Sequence, residues 1–146
     1  MNDGATWFLI ADGSRARVFE RQRPGAEIHE LETLSVRAPT MRAPRDRPPR
    51  VHDRMGPGRH AVTGRTSPRI MAENLFLQSV AKQLNERATH GAFTHLVVCA
   101  PPHAMGVLRD AMSDAARRLL KCELVKDYAH EQAGEIVAHL ESALRK

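Results

Sequence analysis

Two runs of strand length, TWFLIA (6–11) and HLVVCA (95–100), contain almost nothing but apolar residues and no alternation. A strand of that kind has to be covered on both faces, so the chain needs a sheet with layers packed on each side. Three segments carry apolar residues at helical spacing and supply that cover. The first comprises Phe76, Leu77, Val80, Ala81, Leu84 and Ala88. The second comprises Met105, Leu108, Met112, Ala116 and Leu119, read as one helix. The third comprises Ala133, Ile136, Val137, Leu140 and Leu144. Ser67-Pro68 is a good start for the first helix, an N-cap followed by proline at the first helical position, and Gly91 is its natural stop. Pro101-Pro102 ends the second apolar run.

The remaining strands follow from turns and alternation. Asp12-Gly13 stands between TWFLIA and the segment 15–19, a hairpin signal that calls for positive φ at the turn. In the second strand Arg15 and Arg17 face one way, Ala16 and Val18 the other. Arg23-Pro24-Gly25 is the next turn, and 27–36 (EIHELETLSV) reads as one continuous third strand. CELVK (122–126) reads as the fifth. The order is βββ-loop-α-β-α-β-α. Strands separated by helices run parallel through right-handed crossovers. The expectation is therefore an α/β fold, a five-stranded mixed sheet in the order 3-2-1-4-5. Helices lie on both faces in a ribonuclease H-like arrangement, and 1–146 forms a single domain.

Between the two patterned halves lies an arginine- and proline-rich stretch, 37–69, with nine Arg, two acids and six Pro. It carries about +7 in a chain of net charge +5, so everything outside it sums to about −2. Such a composition builds no core, and residues 37–68 are expected to form a flexible loop within the domain. Arginine pairs with phosphate bidentately, and the stretch has no aromatic residue on which a base could stack. It therefore favours charge-driven binding without sequence choice. The arginines singled out are Arg42, Arg45, Arg47, Arg50, Arg54 and Arg59, with Arg15 and Arg17 extending the patch if their face is open to solvent.

No run approaches the roughly 18 apolar residues of a membrane span, and the first residues lack the basic flank of a signal peptide. The expectation is a cytoplasmic protein whose two cysteines, Cys99 and Cys122, are both buried thiols. Catalytic readings are weak. Metal-dependent phosphodiester cleavage needs clustered carboxylates, and Asp12, Glu73 and Asp127 are the only contributors in sight; Asp12 reads better as a hairpin residue. No Gly-rich phosphate motif is present. His52, Asp53 and His60 fit no strong zinc spacing. Neither a metal nor a cofactor is expected. Asp12, Pro101, Pro102 and His103 mark a pocket at the strand ends, where α/β sheets commonly bind ligands.

The string WFLIADGSRARVFE (7–20) resembles the opening of the bacterial host attachment family, whose members are described as required for attachment to host cells. HLVVCAPPHAMGVLR (95–109) is similar to that family's strand, Pro-Pro turn and helix, and Lys126-Asp127 to the pair that closes its fifth strand. The family is in turn distantly similar to the middle domain of archaeal and eukaryotic peptide release factors. That resemblance implies the same fold and a ribosomal setting. The Gly-Gly-Gln tip of release factors has no counterpart here: the loop offers Gly56-Pro57-Gly58, and 37–69 contains no Gln. Peptidyl-tRNA hydrolysis is not implied.

Taken together, these features lead to a non-enzymatic adaptor that binds RNA or the ribosome through its arginine-rich loop. A protein–protein factor in host attachment is the second reading, and a hydrolase or small-ligand binder at the strand ends the third. No membrane partner is expected, and a free third-strand edge permits, without requiring, pairing with a second copy.

Overall fold

A computed structural model describes residues 4–39 and 67–145. The first half gives strands β1 (Thr6–Ala11), β2 (Arg15–Arg21) and β3 (Ile28–Glu30), a 3-10 turn (Glu32–Leu34), and a short strand β4 (Val36–Arg37). The second half gives helix α1 (Pro68–Thr89), β5 (His95–Cys99), α2 (Pro102–Ala111), α3 (Asp114–Leu119), β6 (Leu120–Leu124) and α4 (Ala133–Leu144).

The sheet runs β3-β2-β1-β5-β6, with β4 also paired to β2. This is the expected order once the extra short strand is counted. β1 is antiparallel to β2 and parallel to β5, and all six of its residues are buried. Its alternate residues serve two cores. Trp7, Leu9 and Ala11 pack with α1 and α2 through Phe76, Leu77, Val80 and Leu108. Phe8 and Ile10 pack with Ile136 and Leu140 of α4 on the other face. Burying each large apolar side chain is worth about 1.5–3 kcal/mol, whereas an exposed i,i+4 ion pair such as Arg69–Glu73 is worth about 0.3–0.5. The two-faced sheet, not surface charge, holds the fold together.

Both ends of α1 follow local chemistry. The Ser67 hydroxyl accepts from the Ile70 amide at 3.1 Å. At the other end Gly91 sits at φ +76°, and the amides of Gly91 and Ala92 donate to the carbonyls of Ala88 and Arg87. That double closure requires a residue in the left-handed region, which glycine enters without steric cost.

Five expectations are corrected. The segment 27–36 is not one strand. β3 pairs with β2 in a register that sets Phe19 opposite Glu30, while β4 sets Ala16 opposite Val36, three residues out of step. The surplus forms the 3-10 turn, whose i, i+3 geometry lays Leu31 and Leu34 against the first core. The gap in the ladder is filled by Ser35, whose hydroxyl accepts from the Val18 amide at 3.3 Å.

The second helical stripe is two helices, α2 and α3. Ser113 caps α3, accepting from the Ala116 amide at 3.2 Å. Asn85 of α1 spans the break: its amide donates to the Ala111 carbonyl at 3.0 Å, and its oxygen accepts from the Ser113 amide at 2.8 Å. The backbone groups freed by the break are thus satisfied across the interface, which removes the cost that would otherwise favour a continuous helix.

The Asp12-Gly13 turn does not use positive φ; among the described residues only Gly25 and Gly91 do. The Asp12 carboxylate closes it instead, accepting from the Ser14 and Arg15 amides at 2.8 and 2.9 Å. Gly13 instead leaves room for the Glu73 side chain of α1, which a Cβ there would approach to 2.7–2.9 Å and push aside.

Finally, the fifth strand starts two residues early as β6, with a register shift between Leu96 and Val97 that leaves Lys121 as a bulge. β6 is an edge strand, and Cys122 is exposed, not buried. Cys99 is fully buried in β5, and burial pushes its thiol up to about 12. A thiol reagent is therefore expected to label Cys122 in the native protein and to reach Cys99 only after unfolding. Equal labelling of both in the native state would contradict this placement.

Candidate functional site

The chain leaves the sheet after β4 and returns at the start of α1, and both points border one cleft. Its volume is about 850 Å³, and its lining comes from the β1–β2 turn, the exit after β4, the first half of α1 and His130. The exit is fixed by a short relay. Asp12 holds the turn, and the Ser14 carbonyl accepts from the Ala38 amide at 2.8 Å. On the far side α1 presents Arg69, Ala72, Glu73, Phe76 and Ser79, which recur at helical spacing on one face.

The rim is basic. Arg15 and Arg37 are direct cross-strand partners on β2 and β4, and both line the cleft with Arg69. Glu73 stands in the cleft 3.5 Å from Arg69, an exposed pair of little energetic weight. His130 lies 2.7 Å from the second oxygen of Asp12, which ties the turn to the loop before α4.

Arg17 is what holds that loop. The expectation that Arg17 shares a solvent-exposed anion-binding face with Arg15 is corrected here, because its side chain is only 6% exposed. Its guanidinium donates to both carboxylate oxygens of Glu30 at 2.9 and 3.1 Å, and to the carbonyls of Ala129 and Glu131 at 3.2 and 2.6 Å. It also stacks over Phe19, 5.6 Å from the ring centroid. Four of its five N–H donors are used within the protein. The Arg17 guanidinium beside Glu30 holds that carboxyl below its ordinary 4.5, burial opposing and the Ser35 hydroxyl assisting.

The other expected residues are dispersed. Asp12 is a turn residue partnered by His130. Pro101 and Pro102 open α2, and His103 Nε2 contacts Asn74 Oδ1 of α1 at 2.7 Å. Asp12, Pro101, Pro102 and His103 all lie outside the cleft lining. Of the carboxylates weighed for metal chemistry, only Glu73 lines it, and among the described residues no three His, Cys, Asp or Glu side chains gather as a metal would need. Arg42, Arg45, Arg47, Arg50, Arg54 and Arg59, and likewise His52, Asp53 and His60, lie outside the described residues. Among the described residues no helix is long and apolar enough to cross a membrane.

The sequence reading missed His130 and the grouping of Arg37 with Arg15 and Arg69. The three arginines were visible as charge. Nothing local to residue 130 marks it as a neighbour of Asp12.

A family model described as "Protein required for attachment to host cells" matches residues 7–140. No curated protein matches the sequence. Among solved structures the chain is similar to the archaeal translation termination factor aRF1, at 11% identity and a TM-score of 0.49. That likeness covers 97% of this chain and 39% of the other. A second, described as an archaeal protein, is similar at 13% identity and a TM-score of 0.49, covering 97% and 38%. The chain spans less than half the length of either.

Proposed function

The chain belongs to the family of proteins required for attachment to host cells, and from that premise we propose that it is a non-enzymatic adaptor docking on RNA, in particular the ribosome. The docking groups are Arg42, Arg45, Arg47, Arg50, Arg54 and Arg59, with Arg15 and Arg37 beside the point where their segment leaves the sheet. One observation carries this reading: the stretch 37–69 holds about +7 while the rest of the chain sums to about −2. Charge so concentrated is an address for a polyanion. Each guanidinium gains a bidentate phosphate contact and the release of a condensed counterion.

The test is co-sedimentation of the native protein with ribosomes on a sucrose gradient at low and at high salt. The expected result is migration with a ribosomal subunit at low salt and release at high salt. Protein that stays at the top of the gradient in both would overturn the reading.

The family's description favours a second reading, a protein–protein factor in attachment to host cells. Cell fractionation separates the two, since a ribosome adaptor belongs to the cytosolic pool and an attachment factor acting directly belongs to the surface pool.

A further inference from the structure

We infer that the cleft between the β1–β2 turn and α1 is a preformed site for one nucleotide unit, with the phosphate on Arg15 and Arg37 and the base over Ala72 and Leu75. It extends the adaptor reading to a second site and does not depend on the arginines of residues 42–59.

Arg15 and Arg37 are opposite one another on antiparallel strands, where side chains stand about 5 Å apart and like charges repel. The Ala38 amide bonds the Ser14 carbonyl and Asp12 locks the turn, so the backbone is fixed on either side and the two arginines start from adjacent Cβ atoms. Both residues line the same cleft, and so does Arg69 of α1. Among the described residues, the charged groups lining this space are three arginines, His130 and one carboxylate, Glu73. An anion between the guanidiniums converts the repulsion into two attractive contacts. A phosphate has enough acceptor oxygens to bridge two or three guanidiniums at once, whereas one carboxylate is saturated by a single bidentate arginine.

The floor of the cleft adds the second half of the ligand. It is apolar, formed by Ala72, Leu75 and Phe76. Leu75 is 65% exposed, the most exposed of the large apolar side chains among the described residues. An anion with no apolar body would leave that surface wet. A base laid on it removes apolar area from water while its phosphate reaches the basic rim. The cleft volume lies in the range that holds such a ligand.

The experiment is an NMR titration of the full chain with uridine 5′-monophosphate, a short oligouridylate and inorganic phosphate. The expected result is perturbation of Arg15, Arg37, Ala72 and Leu75 amides by both nucleotide probes, with inorganic phosphate at least about tenfold weaker. A free nucleotide as the physiological source would bind as tightly as the oligomer, and a strand as the source would make the oligomer tighter. Arg15→Gln with Arg37→Gln abolishes the effect. So does Leu75→Glu, a change at an exposed position that leaves the fold intact. Neutralising the six arginines from Arg42 to Arg59 leaves it unchanged, so that failure of ribosome docking and failure of this site are told apart. Perturbation elsewhere, equal response to inorganic phosphate, or an unaltered response in both cleft variants would overturn the inference.

Discussion

Replacing Arg17 with alanine is expected to lower the stability of the protein by about 3–5 kcal/mol in a denaturant titration. The substitution leaves the Glu30 carboxylate largely buried without its partner and strips the Ala129 and Glu131 carbonyls of their donor. The damage reaches the cleft, because those carbonyls flank His130, which ties the loop to Asp12. Arg17→Lys is not expected to restore stability. One ammonium cannot span two carboxylate oxygens and two carbonyls in different directions. A loss below about 1 kcal/mol for the alanine variant would show that the network is not the tie described here.

The same network sets an acid limb. Glu30 titrates below its ordinary 4.5 in the folded protein, chiefly because of Arg17. A carboxyl depressed in this way contributes stability that is fully present above its unfolded value and is lost as pH falls through the folded one. Stability of the native chain should therefore fall as the pH drops below 4.5. In Arg17→Ala the Glu30 share of that fall should vanish or reverse. An acid limb of unchanged steepness would assign the pH dependence to other carboxylates.

Converting Arg42, Arg45, Arg47, Arg50, Arg54 and Arg59 to glutamine is expected to abolish salt-sensitive migration with ribosomes and leave the melting temperature nearly unchanged. Each phosphate contact adds about 0.7–0.9 to the slope of log affinity against log salt. Losing several such contacts removes both the affinity and its salt dependence. The described members of the two hydrophobic clusters come from 5–38 and from 76 onward, and arginines at this density build no core of their own. A collapsed fold would make the stretch structural, and unchanged co-sedimentation would move the binding surface elsewhere.

Much of the architecture was legible from neighbouring residues. TWFLIA and HLVVCA had to be central because they lack alternation. The α1 stripe, its Ser67-Pro68 start and its Gly91 stop were readable because periodicity and capping act within a turn or two. Breaks were harder. The single stripe from Met105 to Leu119 concealed the α2–α3 break, because the residue that makes the break affordable, Asn85, lies 26 and 28 positions away. The third strand looked continuous because alternation does not reveal where a hydroxyl such as Ser35 takes over a ladder bond.

The sequence by itself determined the layers, the strand order and the place where charge concentrates, since apolar periodicity and composition are summed over adjacent residues. Only the tertiary structure decided which arginine is sealed inside the protein. Arg15 and Arg17 are equivalent in any local reading, two residues apart on one strand face. One lines a cleft and the other is sealed by Glu30 and by carbonyls 112 and 114 residues downstream. A charged side chain's role is set by the partners that packing brings to it, because in a low-dielectric interior an unpartnered charge costs more than any local preference can offset.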